Sequence, residues 1–399
     1  MKKLVHIAVV TSLLVSGGKV VAQNQDERIK SLEDQINAMK AQLDQIKDGN
    51  AKPDWLDQAD NFKRGLHMNF YGEMKWINME GADKFDPHRF VLIPSYKLSD
   101  RATFISEIEI EHGGVDDTDG GRFDGELEVE QFYIDYEVND WATWRSLGIS
   151  LIPVGTINQY HEPDQFYSVH RPVMYKYIVP STWFEPGTGF HGDIPSIDGL
   201  KYDFYVSSGL TSATGVSETD GGWAPRSTRP GYRTADGNDG FAYSGKLAYA
   251  KGGFSGSVSS YQTQYKNGLG SKTSLSLYDI EVSYRFTNGF ELIADYAFWD
   301  VGTPSVLTRG TGNTKTGDTM DGYRLEAAYH MPHGKNELVP FFRAEGYDLQ
   351  SGASGVSYNY LTYGAMYKFG DNWEIKAGAR QSLDDNSRTE YTLGVGMQF

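Results

Sequence analysis

The last nine residues, Tyr391-Thr392-Leu393-Gly394-Val395-Gly396-Met397-Gln398-Phe399, alternate throughout between large apolar side chains and small or polar ones. Successive side chains of a β-strand point to opposite faces, so every second residue from Tyr391 to Phe399 shares one face. That face is wholly aliphatic or aromatic, and the sequence stops on an aromatic residue. The segment therefore predicts a strand with one face in an apolar medium.

The same period of two returns along the chain from Leu66 onward. The segment from His67 to Trp76 alternates polar with apolar residues, and comparable stretches of about ten residues follow it. Sixteen such stretches begin near residues 66, 88, 101, 126, 145, 188, 199, 240, 252, 275, 289, 320, 337, 357, 372 and 388. Short alternating segments in even number are typical of a bacterial transmembrane barrel. The sequence thus predicts an all-β transmembrane fold, a closed sixteen-stranded antiparallel barrel over residues 66–399.

The composition favours such a barrel over a helical membrane protein. Aromatic residues make up 14% of the 399 residues, and outer-membrane barrels place such residues in girdles at both interfaces. After the first fifteen residues, no stretch approaches the ~20 apolar residues that a spanning helix needs. The lack of cysteine excludes disulfides and cysteine nucleophiles, and the net charge of −16 argues against binding to nucleic acid.

The amino terminus predicts export. Lys2 and Lys3 precede a mostly apolar run that ends at Val15, and the small residues Val21 and Ala22 precede Gln23. We interpret residues 1–22 as a signal peptide.

Residues 23–49 predict a helix with a narrow apolar seam. Apolar residues recur there at alternating spacings of three and four, which is the heptad pattern of a coiled coil. They are Ile29, Leu32, Ile36, Met39, Leu43 and Ile46. We expect a periplasmic coiled coil followed by a linker at residues 50–65; an amphipathic helix lying on its own domain is the alternative.

The connections between the predicted strands alternate in length. The tight ones contain residues that favour turns: Ser99-Asp100, Lys251-Gly252, Thr287-Asn288-Gly289, His333-Gly334-Lys335 and Gly370-Asp371-Asn372. The long links are expected at residues 78–87, 113–125, 156–187, 210–239 and 300–319. Because the short turns of outer-membrane barrels face the periplasm, we expect the long loops outside.

The link at residues 156–187 is the third long loop, and it combines charges with aromatic rings. A loop of this length without regular elements of its own is usually functional or disordered. We predict that it folds into the lumen and forms a constriction with His161, Glu162, His170, Arg171, Tyr175, Lys176 and Trp183. For each single residue, the alternative is an ordinary contact with the wall or with the loop backbone.

Charged residues occupy the face opposite the apolar one, and we assign them to the pore lining. They are Glu73, Lys75, Arg89, Lys97, Glu107, Glu109, Glu111, Lys201, Asp203, Glu281, Arg285, Glu291, Asp295, Arg324, Glu326, Arg343, Glu345, Glu374, Lys376 and Arg380. Acidic residues outnumber basic ones, which predicts a weakly cation-selective or nearly unselective pore. Near Gln131 the apolar face changes phase, which predicts a β-bulge; with it, Glu128 and Glu130 are candidates to add to the acidic side of the lining.

Two short motifs flank the third loop, LGISLIPVG at residues 147–155 and EPGTGFHG at residues 185–192. With the exported barrel and the heptads, they resemble the phosphate-selective porin O and P family. The resemblance implies a homotrimeric outer-membrane channel, a third loop inside the pore and, in some members, phosphate selection by arginine and lysine. The last strand is similar to the assembly signal of bacterial outer-membrane proteins, which implies that Tyr391 and Phe399 contact the outer-membrane assembly machinery.

Together these features favour a water-filled channel of the cell outer membrane for passive diffusion of small hydrophilic solutes or ions. The expected partners are outer-membrane lipid, lipopolysaccharide and copies of the chain. A sugar-selective porin with an aromatic track of Tyr160, Tyr167 and Trp183 is one alternative, and a structural tether with a plugged barrel is another. His161 and His170 lack a nucleophile motif or a paired ligand spacing, so we expect no enzyme, metal or cofactor.

Overall fold

The computed structural model describes residues 30, 33–34, 36–37, 40, 65–79, 81–116, 123–210, 216–217, 222–223, 225–229, 240–266, 270–307, 317–351, 357–384 and 388–399. The chain divides into two units, Met1–Gly65 and Leu66–Phe399. In the first unit, the described residues between 30 and 40 are helical and exposed. Ile36 is one of them, whereas the predicted signal peptide and the other five heptad positions lie outside the described residues.

Sixteen antiparallel strands make up the wall of the second unit, as the period of two predicted. Strand β12 is interrupted at His330, and both of its parts pair with β13. The strands are β1 Leu66–Met79, β2 Ala82–Lys97, β3 Ala102–Glu111, β4 Leu127–Asn139, β5 Ala142–Leu151, β6 Phe184–Asp193, β7 Leu200–Ser207, β8 Ala242–Lys251, β9 Phe254–Lys266, β10 Lys272–Arg285, β11 Phe290–Val301, β12 Thr319–Tyr329 with Met331–His333, β13 Asn336–Ser351, β14 Ser357–Phe369, β15 Trp373–Ser382 and β16 Thr389–Gln398.

The barrel closes between its first and last strands. Strands β1 and β16 pair from Tyr71 opposite Gln398 to Met79 opposite Glu390. Phe70 and Phe399 extend this ladder with two backbone hydrogen bonds of 2.7 and 2.9 Å. Every strand therefore has a partner on both sides, and the prediction of a closed sixteen-stranded barrel is confirmed.

The tight turns agree with the sequence, and the first long link does not. Gly252 and Gly253 both have positive φ between β8 and β9, which is the backbone geometry of a two-residue hairpin turn. The expected long link at residues 78–87 is wrong, because Met79 pairs directly with Ala82 across a two-residue turn. The hydrogen-bonded pairing of β1 and β2 continues through charged residues such as Asp83, Lys84 and Asp86, although the sequence predicts a loop there.

The predicted bulge in β4 is confirmed by the pairing with β3. Glu107 pairs with Gln131 and Ile108 pairs with Val129, so Glu130 is the extra residue. An extra residue rotates the strand locally, which explains the phase change of the apolar face. The bulge turns Glu130 fully into the interior, where it is 0% exposed.

Burial in the wall is inverted relative to a soluble protein. Met74 is 56% and Leu393 46% exposed on the outer face, whereas Glu73 and Lys75 on the inner face are 6% and 8% exposed. Aromatic rings lie beside the tight turns, including a stacked pair of Phe369 and Trp373 at 3.8 Å. No described helix is long and apolar enough to cross a membrane. The outer face of the wall thus matches an apolar surrounding medium.

The third link contains short helices, which corrects the expectation of a loop without regular elements. Helix α1 is Thr156–Gln159 and helix α2 is Met174–Tyr177, with a 3₁₀ turn at Pro163–Gln165 between them. Further 3₁₀ turns lie at Pro225–Thr228 and Pro304–Val306. Two-residue strands also pair within the long links, Val115–Asp116 with Phe123–Asp124 and Val216–Ser217 with Gly222–Trp223.

A hydrophobic core lies inside the barrel, between the third link and the inner face of β7 to β13. Leu275 and Leu277 of β10 contribute to it with 0% exposure, although they belong to the same inward face as Asp279. Trp299 of β11 is also 0% exposed. Each such side chain contributes about 1.5–3 kcal/mol on burial, so this core holds the link firmly against the wall.

Candidate functional site

Loop 3, residues 152–183, leaves the wall after β5 and returns to it before β6. Its ends are joined by a hydrogen bond of 2.8 Å from the Ile152 N–H to the Trp183 carbonyl. The Asn158 amide donates to the Ile152 carbonyl at 2.8 Å, and its Oδ1 accepts from the Trp183 N–H at 2.7 Å. The base of the loop is thus fixed by hydrogen bonds from one buried side chain.

The first part of loop 3 contacts inward-facing residues of β1 and β2. His161 Nε2 lies 2.8 Å from the Tyr71 hydroxyl, and the Arg89 guanidinium donates to the His161 carbonyl. His161 is only 2% exposed. This imidazole therefore lies between loop and wall rather than on a surface facing water.

The middle of loop 3 presses against β15 and β16. Lys376 Nζ donates to the carbonyls of Pro163 and Phe166, the latter at 2.6 Å. A Cβ at Gly396 would lie 2.5 Å from the Pro163 Cβ, and one at Gly394 would lie 3.1 Å from a Val169 methyl carbon. The two glycines of the last strand therefore leave the space that the loop occupies.

The last part of loop 3 rests on β12 and β13. The Val173 N–H donates to Glu345 Oε2 at 2.7 Å. A Cβ at Gly322 would lie 2.9 Å from both Met174 and Ile178, so this glycine allows helix α2 to approach the wall.

The structure does not bring the predicted constriction residues to one point. Tyr175 and Trp183 are both 0% exposed, which corrects their assignment to a surface facing solutes. The Tyr175 hydroxyl donates to Glu281 Oε2 at 3.0 Å, and the Trp183 ring packs 4.5 Å from that of Tyr261. Burial raises the pKa of Tyr175 well above its ordinary value, and nearby Asp295 adds to the rise. Both side chains anchor the loop.

The charged residues of loop 3 keep partial or full exposure, apart from His161. His170 Nε2 lies 2.8 Å from Glu390 Oε1, and the Arg171 guanidinium donates to the Ser181 hydroxyl at 3.1 Å. Burial lowers the pKa of His170 and of Arg171. Glu162 is half-buried and Lys176 is exposed.

The charges assigned to the pore lining lie on the inner face, where many are buried and paired with each other. Three close ion pairs show the pattern: Glu73 with Arg89 at 2.7 Å, Asp295 with Arg324 at 2.6 Å, and Glu345 with Arg343 at 3.0 Å. Glu107 and Glu109 are 3% and 2% exposed. Arg285 and Arg380 are more open, with side chains 48% and 25% exposed. Much of the wall charge is therefore covered by loop 3 instead of facing water.

Two arginines from the link between β7 and β8 cover loop 3, and the sequence analysis missed them. Arg226 and Arg229 donate to the carbonyls of Ser181 and Thr182. Burial, together with the neighbouring Arg229, lowers the pKa of Arg226 to about 10. Basic residues in a long link read as solvent-exposed, so no local signal marks their contact with loop 3.

These features define the class of the fold, a closed porin-type barrel with a long third loop on its inner wall. No protein-family model matches the chain. An uncharacterized protein of Aquifex aeolicus (strain VF5) is 38% identical over 156 residues, which are 38% of this chain. The match covers 34% of that protein, so the chain spans about a third of the length of this curated relative.

Solved structures support the same fold at low sequence identity. An anion-selective porin from Comamonas acidovorans is similar with a TM-score of 0.54 and 13% identity, over 84% of this chain and 99% of that one. The outer membrane channel DcaP of Acinetobacter baumannii gives 0.54 and 11%, over 84% and 98%. The trimer form of OmpT from Vibrio cholerae gives 0.52 and 9%, over 84% and 99%.

Proposed function

We propose that the protein is an outer-membrane channel for the passive diffusion of small hydrophilic solutes or ions. The observation that carries this proposal is an antiparallel barrel that is closed, apolar outside and polar inside. A closed barrel pairs every backbone group in lipid, whereas a sheet with open edges does not. The similarity to porin-type structures supports the same conclusion through the fold.

Loop 3 is the proposed constriction of this channel. Its support is the set of contacts with inward-facing residues, from the Tyr71 hydroxyl on β1 to the Lys376 ammonium on β15. The side chains proposed to meet the solute are those of loop 3 that are not fully buried: Glu162, His170, Arg171 and Lys176. Charges at a narrow point of a pore set its ion preference.

The proposed selectivity is weak and favours cations. Arg89, Arg324 and Arg343 would attract anions if they were free, but each lies within 4.0 Å of a carboxylate on the inner face. A paired guanidinium contributes little net potential to the lumen. The resemblance to the phosphate-selective porin O and P family therefore extends, in this proposal, to architecture and not to phosphate selection.

The two other candidate functions receive less support. Trp183 is fully buried and the Tyr167 hydroxyl donates to Glu291, so these rings do not form a shared stacking surface with Tyr160. A tether with a plugged barrel remains the main rival, because loop 3 packs so extensively on the wall. A measurement of conductance distinguishes an open channel from a plugged tether directly.

The deciding experiment measures single-channel current and reversal potential of the mature protein in planar bilayers with a KCl gradient. We expect stable openings and a reversal potential near zero or slightly toward cations. The variant Lys176→Gln removes an exposed loop charge and should shift the potential further toward cations, whereas Lys251→Gln, at a turn beside Asp198, should not. A non-conducting barrel would support the tether, and strong anion preference would refute the proposed selectivity.

We further propose that the channel is a homotrimer with a periplasmic coiled coil over residues 23–49. The heptad seam and the exposed helical position of Ile36 support the coil, and the trimer form of OmpT supports the assembly. Light scattering of the protein in detergent should give the mass of three chains. A mass of one chain would contradict the proposed trimer.

A further inference from the structure

Three side chains meet in the interior where loop 3 contacts β3 and β4. His161 of the loop, Glu107 of β3 and Glu130 of β4 each present a ligand atom, and these atoms lie within 4.8 Å of one another. The three residues are 2%, 3% and 0% exposed. Groups of this kind at such burial need either mutual hydrogen bonds or a cation to offset the loss of hydration.

The hydrogen bonds of the imidazole determine which of its nitrogens is free. His161 Nδ1 lies 3.1 Å from the carbonyl oxygen of Asn158, and a carbonyl only accepts. Nδ1 therefore carries a proton, and in a neutral ring the lone pair is on Nε2. This nitrogen faces Glu130 Oε2 at 3.3 Å, Glu107 Oε1 at 3.7 Å and the Tyr71 hydroxyl at 2.8 Å.

With a neutral imidazole, the available protons do not satisfy this arrangement. The Tyr71 hydroxyl has one proton and two acceptors, since Glu107 Oε1 and His161 Nε2 both lie 2.8 Å from it. Among the described residues, neither carboxylate oxygen of Glu130 receives a hydrogen bond as long as His161 Nε2, 3.3 Å from Oε2, carries no proton. As long as the ring stays neutral, either the Nε2 lone pair or the hydroxyl oxygen of Tyr71 faces a carboxylate with no donor between them, and a bound cation would remove this repulsion.

We propose that His161, Glu107 and Glu130 bind a divalent transition-metal ion of the Zn²⁺ type. Two ligands that are each about 2.1 Å from a tetrahedral ion are about 3.4 Å apart, and the distances from Nε2 to the two carboxylates match this separation. The second coordination shell is also in place: Asn158 orients the imidazole, and the Gln131 amide donates to Glu107 Oε2 at 2.5 Å. Ca²⁺ fits less well, because it takes six or more oxygen ligands.

The ion has a structural consequence for loop 3. It is bound by one side chain of the loop and by two adjacent strands of the wall, so it joins the loop to the wall at a position far from the hydrophobic core on β7 to β13. The sequence does not mark His161 as a metal ligand, because Glu107 and Glu130 are not at a paired ligand spacing from it.

Two other groups of possible ligands must be separated in the test. One of them, Glu109, Glu128 and Glu130, shares Glu130 with the proposed site, so the test variant is Glu107→Gln, which changes the proposed site alone. Asp86, His88 and His112 also place three ligand atoms within 4.8 Å of one another, among the described residues. His112→Gln removes that group without touching loop 3. Glu345→Gln serves as the matched control, since Glu345 is another fully buried glutamate that contacts the loop.

The experiment measures Zn²⁺ binding by equilibrium dialysis and elemental analysis of the EDTA-treated full-length mature protein in detergent. In the H112Q background we expect one Zn²⁺ per chain, kept in H112Q/E345Q and bound roughly tenfold or more weakly in H112Q/E107Q. Anomalous scattering from Zn²⁺-soaked crystals of the wild type should place the ion between His161 and Glu130, which does not depend on the folding of a variant. No Zn²⁺ in the H112Q background, or equal binding in H112Q/E107Q, would overturn the proposal and leave a protonated imidazole in its place. Conductance plays no part in this measurement, so its failure leaves the proposed channel untouched.

Discussion

His170 connects loop 3 to the last strand through its contact with Glu390, 2.8 Å from Nε2 to Oε1. Burial lowers the pKa of His170 below its ordinary 6.5, Glu390 opposes the shift, and Arg380 and Lys75 add to it. The docked loop therefore binds fewer protons at this residue than a released loop does. The stability that follows from the neutral ring is present above about pH 6.5 and is lost as the pH falls.

We expect acid to loosen the docked loop, and His170→Gln to reduce that effect. The measurement is the thermal unfolding midpoint of the barrel in detergent between about pH 7.5 and about pH 5.5. The midpoint of the wild type should fall more steeply on acidification than that of H170Q. His67→Gln, at an exposed position of β1, should behave as the wild type does. Parallel curves for H170Q and the wild type would show that His170 does not contribute.

Residue identity alone indicates which face a residue occupies but not what contacts it there. Gly394 and Gly396 were correctly placed on the face opposite the apolar one, and nothing local revealed that they make room for Val169 and Pro163. The sequence did contain one indication, since glycines at these inward positions provide no polar side chain to line a lumen. A glycine pair on the inward face of a terminal strand therefore deserves testing as a docking surface for a loop.

The position of loop 3, as an element, can be tested with an engineered disulfide. The chain has no cysteine of its own, so two introduced cysteines can pair only with each other within the chain. A Cβ at Gly394 would lie 3.1 and 3.3 Å from the two methyl carbons of Val169, which brings the two Cβ atoms near the separation in a disulfide, about 3.8 Å. We expect V169C/G394C to form a disulfide in the folded barrel, visible as a mobility change on non-reducing gels. The locked protein should conduct as the wild type does.

The matched control for this lock is V169C/T392C. Thr392 lies on the same strand and the same face as Gly394, and two residues along a strand correspond to about 7 Å. Its pair should crosslink far less than V169C/G394C. Equal yields, or no disulfide in either pair, would mean that the loop does not rest on β16.

A strand could be predicted from the sequence where a single alternation of apolar and polar residues runs along its whole length. It was harder to predict where the inner face of the strand is apolar at one end and polar at the other. In β10 the inward residues Leu275 and Leu277 are apolar, while outward Ile280 and Val282 are apolar as well. This change of phase marks the start of the hydrophobic core under loop 3, and it was present in the sequence. The partners of the loop were not predictable, because they come from strands far away along the chain.

At the scale of the whole molecule, Phe399 lies at the contact that closes the barrel. A substitution there tests whether its aromatic ring serves the stability of the barrel or its assembly in the cell. The Phe399 ring is 68% exposed and packs 4.5 Å from that of Phe70, while its backbone forms both closing hydrogen bonds. Phe399→Ala removes the ring and keeps those bonds. We expect little change in the refolding yield of the purified chain in detergent, and a several-fold lower amount of folded barrel in the outer membrane of cells.

The contrast between the two measurements distinguishes recognition from stability. Phe90→Ala is a suitable control, because this ring is also exposed and near Phe70 but lies within β2. An equal loss for F399A in both measurements would show that the ring contributes to the stability of the barrel rather than to its recognition by the assembly machinery.

The contacts of loop 3 also impose an order on biogenesis. Lys376 lies 213 residues from Pro163 along the chain, and the Val173 N–H donates to a carboxylate, that of Glu345, 172 residues away. Loop 3 is synthesised well before these partners, so its contacts with them must wait until the carboxy-terminal strands have joined the sheet. A barrel arrested before that step would hold loop 3 on one side only, and a cell that stalls the insertion of this protein would risk a leak wider than the finished channel allows.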